Sequence, residues 1–370
     1  MALKKQQVLF GFILMFSSGM LMAQVVNTAT MDTLESTVIG HVGFGGYVDS
    51  YYAYNLLRPV NNQTPFLVSS SSHNEVNINL AYVDVRYRSQ RVRARFVPGF
   101  GTYVNNNYAQ ESGTLKNIIE GYVGIKPFPK KNIWVDMGVL GSPYTNESAI
   151  SKDHLMYTRS FAPEYVPYYL SGVKISTPLS QTINLSIYLL NGWQVIEDNN
   201  RGKSFGTQLE YRPGKNILFN WNTYVGDERS VLNPDYRMRY FSDVFMIWQA
   251  HTKFLVTTCL YAGEQHKLNA PAAQWWQVNV NGRYQFSKTV SLSGRVEYFN
   301  DKENTIVQPG NPLPFSASSA GLCLNIKISD NALLRFEQRS FFSNRLIFED
   351  ENNDFYRNSA LLTSNLTVWF

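Results

Sequence analysis

The sequence predicts an all-β fold, a transmembrane antiparallel barrel of about sixteen strands; fourteen or eighteen strands also fit. Three observations support this prediction. Polar and apolar residues alternate along most of the chain, short and long connections alternate between these segments, and aromatic residues make up 14% of the 370 residues. A wall that faces lipid outside and water inside requires the first pattern, and its two membrane interfaces favour aromatic side chains.

The first 23 residues have the layout of a secretory signal peptide. Lys4 and Lys5 precede an apolar run from Val8 to Phe16, and small residues lead to Ala23. A membrane anchor helix is the alternative, but this run is too short to span a bilayer. We therefore expect a cleaved signal peptide over 1–23, a short periplasmic segment over 24–38, and the barrel over 39–370.

Charge and cysteine content exclude two classes of protein. Removing Lys4 and Lys5 leaves 31 basic residues (33 − 2) against 28 acidic ones, so the formal net charge falls from +5 to +3. This balance is too mild to indicate nucleic-acid binding. The sequence contains two cysteines, Cys259 and Cys323, and a disulfide framework is therefore not expected.

A hairpin near the start of the barrel shows the alternation clearly. In VDVRYR (83–88) and RVRARF (91–96), every second residue is charged. A two-residue turn at Ser89–Gln90 would bring the charged faces of both strands together. The shared face then carries Asp84, Arg86, Arg88, Arg91, Arg93 and Arg95. An arginine facing lipid costs about 2–4 kcal/mol at the bilayer midplane, so we expect these side chains to face the lumen.

The period-two pattern continues to the C-terminus. The predicted strands are 39–55, 75–88, 91–105, 114–127, 132–140, 167–178, 182–193, 203–213, 217–226, 237–250, 253–264, 273–286, 289–301, 316–328, 332–341 and 358–370.

Connections of two lengths alternate between these strands. Short ones such as Ser287–Lys288 are followed by long ones such as 302–315. An outer-membrane barrel has tight periplasmic turns and longer external loops, which explains this alternation. A soluble β-sandwich is the alternative, but it gives no reason for the regular change in loop length.

The last predicted strand, NSALLTSNLTVWF, ends on Phe370. Ala360, Leu362, Leu366 and Val368 share its face. This ending looks like the C-terminal signal that the barrel-assembly machinery recognises. An ordinary closing strand would also alternate, but it would not require a final aromatic residue.

The segment from Leu189 to Glu228 carries patterns beyond simple alternation. Its NGW, DNNRGKSFG and YVGDE stretches resemble motifs of the outer-membrane β-barrel porins of the OmpL-like type, and HLMYTRSFA (154–162) resembles another segment of that family. The resemblance runs from about Gly46 to the C-terminus. It implies a porin-like barrel in the outer membrane of a Gram-negative bacterium, and no named substrate.

Catalytic and metal-binding patterns are weak in this sequence. In SSSSHNE (69–75), Ser72, His73 and Asn74 are adjacent and do not face one another in an extended chain, so we interpret the segment as a solvated external loop. The five histidines are scattered, with no HExxH motif and no Cys/His cluster. We therefore expect neither an enzyme nor a metal or other cofactor.

The arginines support two hypotheses about the lumen. They form a basic strip that concentrates anionic or polar solutes, or they pair with Asp84, Glu297 and Glu337 and keep the lining soluble. We predict that ten residues line the pore: Asp84, Arg86, Arg88, Arg91, Arg93, Arg95, Arg283, Arg295, Arg335 and Arg339.

The third long loop, 141–166, is the longest. In general porins this loop folds into the barrel and narrows it, so the resemblance places Glu147, Asp153 and Arg159 near a constriction.

These features predict a passive diffusion channel for small hydrophilic solutes, with a weak anion preference at most. A barrel that binds surfaces or cells through its external loops is one alternative, and a barrel phospholipase is another. The expected partners are outer-membrane lipid and lipopolysaccharide, the barrel-assembly machinery and small polar solutes. A homotrimer is one option for assembly, and no nucleic acid is expected.

Overall fold

The computed structural model describes residues 41–200, 202–307 and 313–370. Within them, sixteen antiparallel strands form one closed barrel, which confirms the predicted fold class. The predicted signal peptide (1–23) and periplasmic segment (24–38) lie outside the described residues. No helix in the described part of the chain has the length and apolar character needed to cross a bilayer.

The wall follows chain order, with each strand hydrogen-bonded to the next. Its strands are β1 (His41–Asn55), β2 (Val76–Arg88), β3 (Val92–Phe100), β4 (Ile118–Ile125), β5 (Trp134–Gly141), β6 (Tyr169–Pro178), β7 (Ile183–Leu190), β8 (Ser204–Gly214), β9 (Ile217–Asp227), β10 (Tyr236–His251), β11 (Phe254–Lys267), β12 (Ala270–Gln285), β13 (Val290–Asp301), β14 (Phe315–Ser329), β15 (Ala332–Phe342) and β18 (Asn358–Trp369).

Small elements occupy the long connections. A separate hairpin of β16 (Phe348–Glu349) and β17 (Phe355–Tyr356) lies between β15 and β18. Two short α-helices and two 3₁₀ turns lie between the early strands. They span Thr102–Asn107, Leu115–Asn117, Ser151–Asp153 and Phe161–Glu164.

The barrel closes where β1 pairs with β18. Tyr47 lies opposite Trp369, and the main chains of Gly46 and Phe370 exchange hydrogen bonds of 3.0 and 3.1 Å. A Cβ atom at Gly46 would lie 2.2 Å from the Phe370 ring, so the closing aromatic residue requires a glycine opposite it. The role of Phe370 as an assembly signal stays a prediction.

The two faces of the wall match the sequence alternation. In β12, Gln277, Asn279 and Asn281 are buried toward the lumen, whereas Trp276 and Val280 are exposed on the outside. The wall is also uneven in height, because the strands from β10 to β15 have 11–16 residues and those from β3 to β7 have 8–10.

Two local expectations are wrong. The β2–β3 turn is centred on Gln90–Arg91, since Ser89 N donates to Val92 O at 2.7 Å, and this shifts the register so that Arg86 lies opposite Arg95. In addition, β3 ends at Phe100, before the predicted end at 105. Gly101 has φ 129°, and a Cβ there would lie 2.4 Å from the Asn79 carbonyl oxygen, so the chain leaves the wall and forms a short helix.

Candidate functional site in the barrel lumen

The connection between β5 and β6, residues 142–168, lies inside the barrel, and we call it the inward loop. Asn146 Nδ2 donates to Asn279 Oδ1 on β12 at 2.9 Å. Tyr157 N donates to Glu337 Oε2 on β15 at 2.6 Å. Because both acceptors face the lumen from strands on the opposite side of the barrel to β5 and β6, the loop crosses the interior and does not extend outward.

Three wall arginines hold the main chain of the inward loop, and we call Arg295, Arg335 and Arg339 the arginine clasp. All three are buried, at 0–2% exposure. Each donates from Nη1 to a carbonyl oxygen of the loop: Arg295 to Thr158 (2.7 Å), Arg335 to Ser151 (2.8 Å) and Arg339 to Arg159 (2.9 Å). The clasp therefore fixes the loop against β13 and β15.

Two buried carboxylates complete the clasp. Glu297 lies 2.6 Å from Arg339 and 3.2 Å from Arg295, and Glu337 lies 3.5 Å from Arg295. Glu337 also accepts a hydrogen bond from Thr158 N at 2.9 Å. Buried charges require such pairing because they have lost their hydration.

The remaining predicted arginines of the hairpin form a second group, which we call the arginine ladder: Arg86, Arg88, Arg93 and Arg95 on β2 and β3. Asp84 lies between two of them, accepting from Arg86 and from Arg95 Nη2 at 2.7 Å. Arg95 also lies 2.7 Å from Glu120 on β4. Arg86 and Arg95 are thus paired with acidic residues of the wall.

Arg93 and Arg91 lie closer to the periplasmic end of this hairpin. Arg93 Nε donates to Asp136 Oδ1 at 2.7 Å and lies 4.6 Å from the centre of the Trp134 ring. Arg91 lies at the turn itself, where its guanidinium donates to the carbonyls of Lys126 and Pro127 at 3.3 Å. The shifted register therefore moves Arg91 out of the ladder to the periplasmic rim.

The other predicted lining residues are distributed around the barrel. Arg283 is half-buried near the periplasmic end of β12. Arg335 and Arg339 lie on β15, which β18 and β1 separate from the β2–β3 hairpin. Arg335 and Arg339 contact the inward loop.

The predicted constriction residues differ in their surroundings. Glu147 accepts from Ser160 N at 2.7 Å, and burial raises its pKa above the ordinary value although Arg295 lies 3.9 Å away. Arg159 is fully buried, and its Nε donates to Ser148 O at 3.1 Å. Asp153 is only partly buried and pairs with Lys152 at 2.8 Å. Glu147 and Arg159 therefore brace the inward loop internally.

The first long connection, between β1 and β2, packs against the inward loop. Glu164 Oε2 accepts from Val68 N at 2.7 Å, and Tyr165 OH donates to Phe66 O at 3.0 Å. Burial raises the pKa of Glu164 to about 7, against the lowering effect of nearby Arg159. This contact joins the two connections inside the external mouth.

The serine-rich segment of that connection is buried, so the interpretation as a solvated loop is wrong. Ser69, Ser70, Ser71, Ser72 and His73 are all at most 5% exposed. His73 Nδ1 accepts a hydrogen bond from Asn55 N at 2.9 Å, which gives the ring a structural role. In the described residues, no group of three His, Cys, Asp or Glu side chains is placed to hold a metal ion.

One part of the lumen stays open between the inward loop and the low side of the wall. This space, which we call the lateral cavity, has a volume of about 80 Å³ and lies between the loop and strands β4 to β8. Its lining includes Glu120, Tyr122, Tyr144, Lys174, Tyr188 and Gln208. The sequence prediction missed these residues, although the acidic positions inside IIEGYVGI and WVDMGVLG were a signal of inward-facing charge.

The sequence also matches a protein-family model, and the barrel described above agrees with that match. A family model described as beta-barrel porin-2, OmpL-like, matches residues 41–370. The chain belongs to this OmpL-like porin family. Membership places it in the outer membrane of a Gram-negative bacterium and makes it a channel protein, not an enzyme.

Solved structures share the fold of this OmpL-like porin at low sequence identity. The DcaP channel of Acinetobacter baumannii has a TM-score of 0.60 at 11% identity, with 90% of this chain and 98% of that chain covered. OmpT of Vibrio cholerae, in its trimer form, has a TM-score of 0.59 at 12% identity, with 90% and 100% covered. An anion-selective porin from Comamonas acidovorans has a TM-score of 0.56 at 9% identity, with 90% and 100% covered. These likenesses show the fold alone.

No curated protein matches the sequence of this OmpL-like porin. Its solute therefore has to be argued from the lumen.

Proposed function

We propose that this OmpL-like porin is a passive diffusion channel for small hydrophilic solutes, narrowed by the inward loop. The observation that carries the proposal is the attachment of the loop to β13 and β15 by buried, charge-assisted hydrogen bonds. A loop held in this way leaves a restricted aqueous space along the low wall. Solutes would be selected mainly by size, because the loop crosses the lumen from β5 and β6 to β12 and β15.

The proposal includes only a weak preference for anions. Arg93 and Arg95 each lie within hydrogen-bonding distance of a carboxylate, and Arg86 contacts Asp84. Paired charges produce a weaker field in water than unpaired ones do. The porin from Comamonas acidovorans is anion-selective. In this chain, the pairing of the arginines with carboxylates supports a weaker anion selectivity.

A homotrimer is also part of the proposal. Strands β4, β5 and β7 have eight residues each. At about 3.3 Å per residue and a tilt near 45°, they rise about 19 Å, which is less than the apolar band of about 25 Å. Neighbouring copies would cover this low wall, and OmpT of the same fold has a trimer form. Native mass measurement in detergent tests the assembly.

The main experiment is single-channel recording of the refolded mature chain in planar bilayers. We expect discrete conductance steps and a reversal potential close to zero under a salt gradient, with a slight displacement toward anions. A folded barrel without conductance would contradict the channel proposal and favour surface binding through the external loops. A strong anion preference would contradict only the proposed charge balance.

A further inference from the structure

The lateral cavity has the size of a binding subsite for one small ring. Its volume is about 80 Å³. At about 10–15 Å³ for each water-sized position, this corresponds to about five to eight such positions. A single six-membered ring with hydroxyl groups is of this scale, whereas a longer chain would have to extend beyond the cavity.

Two tyrosines present their aromatic rings to the cavity, because their hydroxyl groups are already hydrogen-bonded to residues of the wall. Tyr144 OH donates to the carbonyl oxygen of Thr223 at 3.3 Å. Tyr188 OH donates to Gln208 Oε1 at 3.1 Å. Both residues line the cavity. Aromatic rings fixed in this way favour a solute with an apolar face.

Gln208 supplies a hydrogen-bond donor at the same place. It lines the cavity, is 4% exposed, and its carbonyl oxygen is held by Tyr188. Its Nε2 has no hydrogen-bond partner among the described residues. A buried donor without a partner costs about 1–3 kcal/mol, so a solute that accepts a hydrogen bond there gains affinity.

The charged residues of the lining are balanced by the wall. Glu120 lies 2.7 Å from Arg95, Lys174 lies 3.6 Å from Asp136, and Glu147 lies 3.9 Å from Arg295. A lining whose charges are paired in this way attracts neither cations nor anions strongly. The cavity therefore suits an uncharged solute.

We propose that the lateral cavity is a binding subsite for an uncharged, hydroxyl-rich ring, such as a monosaccharide or a cyclic polyol. The inference rests on the proposed channel function, because the solute must reach the lumen. Such a ring has apolar C–H faces that pack on tyrosines and hydroxyl groups that both donate and accept hydrogen bonds. An apolar solute would leave Gln208 without a partner, and an ion would find no unbalanced charge.

The test is block of the ion current by D-glucose in planar bilayers containing potassium chloride. We expect D-glucose to reduce the current of the wild-type channel with a saturable dependence on concentration. Glycine betaine, a compact zwitterion with no ring and no hydroxyl group, serves as the comparison solute and should reduce the current only in proportion to solution viscosity.

Two variants locate the subsite. Gln208→Leu removes the free donor and should raise the half-blocking concentration of D-glucose about five- to tenfold. Gln285→Leu, at the periplasmic end of β12, is the matched control and should leave this concentration unchanged. If Gln208→Leu does not fold, Tyr188→Phe removes the hydroxyl that orients the amide and should give a smaller increase.

The outcomes separate the two proposals. Conductance with only a viscosity effect of D-glucose would overturn the subsite and leave the channel function intact. Saturable block that Gln208→Leu does not weaken would overturn the assignment to the lateral cavity. A folded wild-type barrel without any conductance would overturn the channel function, and the subsite with it.

Discussion

The arginine clasp and the arginine ladder use the same side chain in different ways. The clasp residues are at most 2% exposed and donate to the main chain of the inward loop. In the ladder, Arg86, Arg93 and Arg95 bond to carboxylates of the wall, and side-chain exposure ranges from 4% at Arg95 to 32% at Arg86. The alternation of polar and apolar residues predicts that both groups face the lumen. Contact with the inward loop then decides which arginines hold it.

This difference has an energetic consequence. Removing one partner from a buried ion pair costs about 3–5 kcal/mol, because the remaining charge stays buried and unpaired. An exposed pair contributes about 0–1 kcal/mol. We therefore expect changes in the clasp to affect stability and loop position, and changes at the exposed end of the ladder, at Arg86, to affect mainly ion selectivity.

The largest effect is expected for Glu297→Ala in the clasp. This change leaves Arg295 and Arg339 without their shared carboxylate, and the free energy of unfolding should fall by about 3–5 kcal/mol. Glu351→Ala is the control, because Glu351 pairs with Arg58 at 3.5 Å and the side chains are 51% and 58% exposed. Urea unfolding in detergent micelles measures both variants, and equal losses would contradict the distinction between buried and exposed pairs.

Loop release should follow from Arg335→Met. Arg335 donates to the carbonyls of Ser151 and Met156, so its loss frees the loop around Lys152. Trypsin cleavage after Lys152 should become about tenfold faster than in the wild-type barrel. Arg93→Met, in the ladder, should leave this rate unchanged. Equally fast cleavage of the wild-type protein would show that the loop is not held.

Glu164 lies near the clasp, and its titration should change the free energy of unfolding by a smaller amount that depends on pH. Its pKa of about 7 lies above the ordinary value of 4.5, so the folded state binds more protons and loses stability as the pH rises through this window. Glu164→Gln should therefore become more stable relative to wild type by about 2–3 kcal/mol between about pH 5 and pH 8. Arg159 and Arg339 oppose the shift. A stability difference between Glu164→Gln and wild type that does not change with pH would contradict the raised pKa of Glu164.

The ladder should give the smallest change in stability but a measurable change in selectivity. Arg86→Gln leaves Asp84 with one positive partner fewer, so the reversal potential should move toward cations. The free energy of unfolding should change by about 1 kcal/mol or less, because the Arg86 side chain is partly exposed and Asp84 keeps Arg95 as a partner. Arg91→Gln, at the periplasmic turn, should not move the reversal potential. The same shift in this control would contradict the corrected register.

The strands were predictable because a period of two is a local property of the sequence. In β13, Arg295 and Glu297 alternate with Val296, and this alone indicates which face each residue takes. The turn at Gln90–Arg91 was not predictable to the residue, since Ser89–Gln90 fits the same polar sequence. Moving the turn by one residue in this way keeps every side chain on its face of the sheet and changes only the residue opposite it.

The candidate site was less predictable because its contacts join distant parts of the chain. Glu337 and Thr158 are separated by 179 positions, and alternation does not indicate which loop will reach a given wall residue. The resemblance to general porins suggested that the third long loop turns inward. It did not indicate that Arg335 and Arg339 would hold that loop, or that Gln208 would lie in the remaining space.

Single-channel conductance of Glu297→Ala, compared with wild type and Arg93→Gln, tests the central claim that the clasp holds the inward loop in the lumen. We predict a clearly higher conductance for Glu297→Ala, because the released loop no longer narrows the channel, and a nearly unchanged value for Arg93→Gln. A folded Glu297→Ala barrel with the conductance of the wild-type protein would contradict this account of the lumen.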